Sequence, residues 1–479
     1  MKILFIYPDV TTTIINFCPA VHILSAVLKG IGCEVNLLHI NDKYGIKYDK
    51  NTVVTLAEGF DLYAITATSF NYKYANEIAG WLKVYGKPVV LGGCHATIQP
   101  EDFDSSNFDI FCVGEGEEPM KDLVLALQEG KDWNKIPNLI TRQGINPVRP
   151  FIKDLNELPF HDFDITDTER ILELRNGFLS ISFSRGCPFE CTFCINHLYK
   201  IIEKGNCKMS EYLRRRSPEN TIAELESLAK KYQIKFFNTD DDLLLMDKKW
   251  MREFTRLYED RIYKPFGIKY LINARATEID EEMVKMLASS GCHEVRIGVE
   301  TGSERLRNEL LNKKISNKSL ITAFSLLRKY KVRSLAFLMM GIPQESWSTY
   351  YDTVMLIIKL QPTLIRMTYL YPYKHTKIYD YCVEHSLFKD KEVENEFYDS
   401  PLKFENITDS NLFRMKFLFP WYVNTVWHTD YNYANAIFSA QLDIPEIIKT
   451  DKKLSANCEH PHYRYFSNND TYFELNDNF

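Results

Sequence analysis

An α/β fold is predicted: a doubly wound, Rossmann-like parallel sheet, then a partial (β/α)6 barrel of the TIM type, then a small, mainly helical C-terminal extension. Two observations predict it. Short, continuous apolar runs alternate with helically spaced apolar residues over 2–129, and the same alternation resumes near Gly177. Strands that are apolar throughout are buried on both faces, as in parallel sheets covered by helices. A third observation locates the working face. Small, charged and thiol residues gather just beyond the strands, at the carboxyl ends where such folds bind ligands.

The elements follow in order. Residues 2–7 (KILFIY), 34–40, 62–68 and 88–93 read as strands, and 109–118 as a strand opening into a helix at 119–129. Helical spacing covers 20–31, stopped by Gly32, and 71–85. Residues 1–130 are therefore expected to form the first domain. Residues 131–176 hold Pro137, Pro147, Pro150 and Pro159 among mixed charges, and are expected to be a linker with short local structure. Residues 177–394 carry strands at 178–184, 234–239, 268–274, 294–300, 334–340 and 364–370, with helices at 218–232, 247–260, 280–290, 316–330 and 346–360. Six units are too few for a closed eight-unit barrel. Residues 395–479 lose the alternation and are rich in aromatics, among them Phe397, Phe404, Trp421, Trp427 and Tyr431.

Composition narrows the function. With 479 residues, 45% hydrophobic and 25% charged, the chain suits about three globular domains. A net charge of −6 argues against a general polyanion binder, while leaving room for one anionic ligand in a local pocket. No apolar run approaches the roughly 18 residues that span a membrane. The apolar start is cut by Pro8 and Asp9, too early for a signal peptide. The expectation is a cytoplasmic protein without membrane or nucleic-acid partners.

Eleven cysteines in such a compartment suggest metal or catalysis rather than disulfides. Cys18, Cys33, Cys94, Cys112, Cys207, Cys292, Cys382 and Cys458 are scattered. Cys187, Cys191 and Cys194 cluster in SRGCPFECTFC, after the first strand of the second series. Three soft thiolates suit an iron–sulfur cluster or zinc. A 4Fe–4S cluster on three cysteines leaves one iron open to a ligand with amino and carboxylate groups. The alternative is a Cys3His zinc site completed by His197.

The segment resembles the radical S-adenosylmethionine (SAM) superfamily, whose signature C-x3-C-x-aromatic-C stands here as Cys187, Cys191, Phe193 and Cys194. The resemblance extends through most of 178–375. It implies a 4Fe–4S cluster that passes an electron to the sulfonium, a 5′-deoxyadenosyl radical that removes hydrogen from substrate, and an electron donor such as flavodoxin or ferredoxin. It also implies SAM contacts at successive strand ends. Phe193 would shield the cluster beside the adenine. Asp240 and Asp241, in NTDDD, would meet the methionyl ammonium, or else cap the next helix. Arg275 would meet the methionyl carboxylate, or else pair with Glu278. Glu300 would hold the ribose, with Gly302 and Ser303 opening a helix whose N–H groups face the site. Gly341 and Ile342 would meet the adenine through their backbone, or else form a plain Gly–Pro turn.

LGGCHATIQPEDF and DIFCVGEGEEPM resemble the cobalamin-binding domain fused to many of these enzymes, over residues 2–130. The resemblance implies that Ser69, Gly92 and Gly93 hold cobalamin, the glycines admitting a bulky ligand to the backbone. Glu115 and Glu117 line that site or simply start a helix. The loop after the first strand, Tyr7-Pro8-Asp9-Val10-Thr11, lacks the His that ligates cobalt from below, and His22 falls within a predicted helix. Cobalt would then have an open or hydrated lower face, or the domain would bind no cobalamin.

Two further clusters are read as structural: Arg214–Arg216 as a charged loop before a capped helix, and Cys458, His460 and His462 as no metal site. The leading expectation is an enzyme that methylates an unactivated carbon of a small molecule or peptide. A radical cyclase or oxidoreductase is the rival enzyme, and a zinc- or cobalamin-binding protein the non-enzymatic one. A methylthiotransferase fits less well, because the N-terminal cysteines lack cluster spacing.

Overall fold

The computed structural model describes residues 1–11, 15–202, 212–391, 393, 399–405, 407–417, 419 and 423, with strands at 463–465 and 472–475. The chain divides into two compact units. One comprises Met1–Pro188, Ile195–Asp242 and Leu257–Lys269; the other comprises Phe189–Cys194, Leu243–Arg256 and Tyr270–Phe479.

The first unit holds the doubly wound sheet. Strands β1 (Lys2–Pro8), β2 (Glu34–Ile40), β3 (Leu62–Thr66), β4 (Val89–Gly92) and β5 (Ile110–Cys112) are parallel, in the order β2-β1-β3-β4-β5. Side-chain alternation splits the apolar residues of β1 between two cores. Leu4 and Ile6 join Tyr63, Ile65, Val89 and Leu91 on one face, while Ile3 and Phe5 join Leu62, Ala64 and Val90 on the other. This two-sided burial is why the strands read as continuous apolar runs.

The sheet continues beyond the expected domain boundary. Strand β6 (Leu139–Thr141) adds antiparallel to β5, and β7 (Gly144–Ile145) adds antiparallel to β6. Leu139, Ile140 and Thr141 are buried, but a three-residue strand between prolines is too short for periodicity to reveal. Asp167 caps a further helix, Thr168–Leu174, by accepting from Arg170 N.

The second βα series begins with β8 (Phe178–Ile181), β9 (Ser184–Arg185), β10 (Arg214–Arg215) and β11 (Phe236–Thr239) in the first unit. It continues with β12 (Lys269–Ala274), β13 (Cys292–Glu300), β14 (Arg333–Met340) and β15 (Leu364–Tyr369). Short β9 and β10 pair antiparallel. The other six strands are ordered in their sheet as in the chain, giving the six-unit half-barrel. Helices Pro218–Lys231, Lys248–Tyr258, Glu281–Ser289, Asn317–Lys329 and Trp347–Leu360 separate them. All five begin on side-chain caps, Ser217, Asp247, Asp280, Ser316 and Ser346. Each cap is worth about 1 kcal/mol and fixes where a strand-end loop stops.

Helix Asp409–Phe417 belongs to the C-terminal region, where β16 (Tyr463–Tyr465) and β17 (Tyr472–Leu475) also extend the sheet antiparallel beside β15. Phe397, Trp421, Trp427, Tyr431, Cys207, Cys458, His460 and His462 lie outside the described residues. Among the described residues, no helix is long and apolar enough to cross a membrane.

Candidate radical and cofactor sites

The loop of three cysteines is anchored differently at its two ends. In the first unit, Asp241 at the end of β11 accepts from Phe183 N (2.8 Å), Ser184 N (2.5 Å) and Ser184 Oγ (2.6 Å), all through Oδ1. Burial pushes this carboxyl up to about 7, against the opposing pull of those hydrogen bonds. Asp241 thus shapes the cysteine loop, and its Oδ1 is spent there. Asp240 beside it is exposed and accepts from Asn238 Nδ2 at 2.6 Å. Gly186, the residue before Cys187, has φ +91°, and a Cβ there would lie 2.3 Å from the Tyr212 carbonyl oxygen. Only glycine fits that position.

Arg185 in the same loop is clamped by two carboxylates: Nη1 to Glu115 Oε1 at 2.8 Å and Nη2 to Glu117 Oε1 at 2.5 Å. Arg214 also pairs with Glu115, at 3.0 Å. Burial alone would raise the Glu115 carboxyl, but the two guanidiniums hold it below its ordinary range. Arg214 is buried over Phe151, and Arg216 is buried near Glu224. Both are interior ion-pair members, which corrects the expectation of a charged loop. Ser217 does cap the following helix, as expected.

In the second unit, residues 189–194 are fixed through Thr192 and Glu190. Thr192 N donates to Leu311 O (3.1 Å) and its Oγ1 to Leu310 O (2.7 Å); Asn312 Nδ2 donates to Glu190 O (2.8 Å). Cys194 N donates to Cys191 O at 3.1 Å, closing a turn between two thiols. Cys191 is buried; Cys187 and Cys194 are half-buried. Among the described residues, no three His, Cys, Asp or Glu side chains stand together as a metal-holding group, so the thiols' role rests on their motif and donor chemistry.

Arg275 lies against Phe189, its Cζ 3.5 Å from the ring centroid, with Nη1 3.8 Å from Cys191 Sγ and Nη2 bonded to Lys313 O. The alternative pairing with Glu278 is not formed. Glu278 accepts from the backbone N of Arg275, and the guanidinium goes to the cysteine loop. Buried Arg275 Nε has no hydrogen-bond partner. Glu300 ends β13 in a left-handed conformation, φ +65°, at a register shift against β14. Its Oε1 meets Lys313 Nζ, which also stands 5.9 Å over the Phe193 ring. Phe193 packs on the Leu370–Ile378 cluster. Lys313 was missed by sequence reading, because nothing in its neighbourhood signals a second charge for this strand end.

Two expectations at later strand ends need correction. Gly302 N donates to Thr353 Oγ1 (2.8 Å) and Ser303 N to Thr301 Oγ1 (3.2 Å), so these N–H groups serve the protein's own hydroxyls. Gly341 N donates to Glu345 Oε2 (2.5 Å), and Ile342 O accepts from Glu345 N (2.9 Å). The backbone groups offered to an adenine are thus engaged by Glu345, whose carboxyl burial pushes up to about 7. What remains at Ile342 is a fully buried apolar side chain.

At the strand ends of the first sheet, Ser69 Oγ lies 3.3 Å from His95 Nδ1, which also receives Gln99 Nε2 at 3.1 Å. His95 Nε2 faces Asp102 Oδ2 at 3.2 Å, and its ring stacks on Tyr72. A side chain at Gly92 would enter open space, whereas one at Gly93, φ +91°, would come within 2.9 Å of Ala67 O. His22 lies in helix Pro19–Gly30, as expected. It is fully buried with its ring centroid 4.5 Å from that of Phe163, and burial lowers its pKa well below the ordinary value.

These residues fit the implied groups. The thiols are soft donors for a cluster. An orphaned guanidinium N–H and a buried Lys–Glu pair beside that loop suit a ligand carrying both charges. The open side of Gly92 suits a bulky ligand at the first sheet.

Comparison with known proteins agrees. The Radical SAM superfamily model matches residues 181–357. An uncharacterized methyltransferase of Pyrococcus horikoshii is 28% identical over 336 residues, covering 68% of this chain and 70% of the relative. The anaerobic magnesium-protoporphyrin IX monomethyl ester cyclase of Rubrivivax gelatinosus is 26% identical over 304 residues, covering 60% of this chain but only 52% of that protein. The structure of the radical SAM methyltransferase TsrM from Kitasatospora setae, with cobalamin and a [4Fe-4S] cluster bound, has a TM-score of 0.63 at 17% identity, covering 86% of this chain and 81% of that one. At that identity the likeness is one of fold. The cysteine signature thus lies within a segment, residues 181–357, that matches the radical SAM superfamily.

Proposed function

We propose that the protein is a cobalamin-dependent radical SAM methyltransferase acting on an unactivated carbon of a small molecule or peptide. The observation that carries this reading is the union in one chain of a radical SAM domain at 181–357 with a doubly wound sheet whose β4 end is open at Gly92. The methyltransferase named among its relatives supports it. When bound, the cluster and SAM supply the radical and cobalamin the methyl group.

The chain's own residues bind and orient. Cys187, Cys191 and Cys194 hold the cluster. Arg275 and Lys313 offer two cations to the methionyl carboxylate, and exposed Asp240 takes the ammonium. Glu300 accepts from the ribose hydroxyls once Lys313 turns to the ligand. Phe193 and Ile342 form apolar walls for the adenine. Ser69, Gly92 and Gly93 hold cobalamin. In domain terms, residues 1–130 with the added strands at 139–145 serve cobalamin, the rest of 131–176 links, 177–394 carry radical chemistry and 395–479 extend them. A flavodoxin- or ferredoxin-type donor supplies electrons, in the cytoplasm.

The test is a product count with methyl-deuterated SAM, hydroxocobalamin and a strong reductant. Label in the substrate, with equal 5′-deoxyadenosine and S-adenosylhomocysteine, is the expected result. A second reading, a radical cyclase, draws on the cyclase relative; it gives deoxyadenosine without label transfer.

A further inference from the structure

Glu115 and Glu117 follow β5, the strand that pairs with β4 in the first sheet, and both are bonded to Arg185 of the cysteine loop. A second set of bonds joins the Gly114 backbone, next to Glu115, to Gly93. Buried Thr97 donates its Oγ1 hydrogen to Gly93 O (3.1 Å) and accepts from Gly114 N (3.0 Å). A continuous series therefore runs from Gly93 through Thr97 to Gly114 and Glu115, across two ion pairs to Arg185, and through Gly186 to Cys187. All of it lies within the first unit.

The ion pairs are well shielded. Side-chain exposure is 4% at Glu117, 16% at Glu115, 6% at Arg214 and 28% at Arg185. Two acids and two arginines balance in charge, so moving either carboxylate leaves a guanidinium uncompensated in a poorly hydrated place. Such an arrangement does not deform gradually. A ligand that fixed Gly93 would then bear on the loop that presents Cys187, and a cluster that fixed Cys187 would bear on the same strand ends.

We propose that Thr97 and the Glu115–Arg185–Glu117 clamp couple cobalamin binding at the first sheet to cluster assembly on the cysteine loop, with Arg185 as the positioning residue. This rests on the cobalamin reading above. Coupling is reciprocal, so it is measurable without turnover. The experiment compares the hydroxocobalamin dissociation constant, by absorbance under anaerobic conditions, for the cluster-loaded chain and for the cluster-free Cys187→Ala/Cys191→Ala/Cys194→Ala chain. The expected ratio is about fivefold or more in favour of the loaded chain. Arg185→Lys and Thr97→Val should bind cobalamin yet lose the loaded-versus-free difference to within about twofold, on the same reciprocity, and Thr97→Ser should restore it. Equal affinity with and without cluster in the wild type overturns the coupling. A full ratio persisting in both variants overturns the route through these residues. No cobalamin binding by the folded wild type overturns the cobalamin reading itself, and the coupling with it.

Discussion

Lys313 and Glu300 form an ion pair of 2.5 Å with side chains only 10% and 9% exposed. Two charges are thus kept from water beside the cysteine loop, where each serves as the other's counter-ion. Removing one partner of a buried pair leaves an uncompensated charge and costs about 3–5 kcal/mol, while replacing both costs much less. Glu300→Ala and Lys313→Met should each lower the unfolding midpoint in urea more than the double variant does. Each should also weaken SAM binding by roughly 1.5–3 kcal/mol without changing iron content, through the loss of charge-assisted bonds. Additive destabilisation in the double variant would show that the pair is not a mutual counter-ion.

Anaerobic protein should carry about four irons and sulfides. Replacing Cys187, Cys191 and Cys194 by Ala should abolish iron, sulfide and formation of 5′-deoxyadenosine. Stoichiometric zinc without iron in the anaerobic wild type would instead favour the zinc site with His197.

Cobalt should have no histidine on its lower face. His22 is enclosed beside Phe163, and His39 Nε2 lies 3.3 Å from the buried Asp9 carboxylate. The electron paramagnetic resonance spectrum of bound cob(II)alamin should lack nitrogen splitting. Splitting that vanishes in His39→Ala would identify an unexpected ligand.

Glu345 gives a pH dependence with a definite sign. Its carboxyl is pushed up to about 7 by burial, from an ordinary 4.5. The folded chain therefore binds the proton more tightly than the unfolded chain. The resulting stability is complete below about pH 4.5 and is lost as pH rises through about 7, a change on the order of 3 kcal/mol. Glu345→Gln keeps an acceptor for Gly341 N but cannot ionise. Its advantage over wild type in thermal midpoint should grow from pH 5 to pH 8. A constant difference across that range would remove Glu345 from the titrating groups.

Gly186→Ala should prevent normal seating of the cysteine loop. The new Cβ meets the Tyr212 carbonyl at 2.3 Å, and φ of +91° is strained for alanine. A left-handed conformation alone costs about 1–2 kcal/mol, before the clash. Iron loading after reconstitution checks this, with circular dichroism reporting whether the fold survives.

The strands were legible because a parallel sheet buried on both faces leaves continuous apolar runs, and the helices because Ser217, Asp280, Ser316 and Ser346 mark their starts. The cysteine loop was legible because its spacing is chemically demanding. What escaped was pairing across long separations. Nothing local says that Arg185 meets Glu117, that Glu300 meets Lys313, or that Asp241 turns toward Ser184 rather than toward a ligand. Such choices depend on which buried charge finds a counter-charge first, and only the packed chain settles that. The strand at Leu139–Thr141 escaped because three residues hold no period.

The Arg185 clamp also limits how this protein can be divided. A fragment beginning near residue 177 would keep Arg185 and Arg214 but lose Glu115 and Glu117, which neutralise them. Two cations evolved for a shielded place would then meet bulk solvent at the entrance to the cysteine loop. The radical-bearing half is thus not an autonomous module with an accessory attached. Its first cysteine is presented by a structure whose opposing charges are encoded some seventy residues earlier, in the segment that reads as a separate domain.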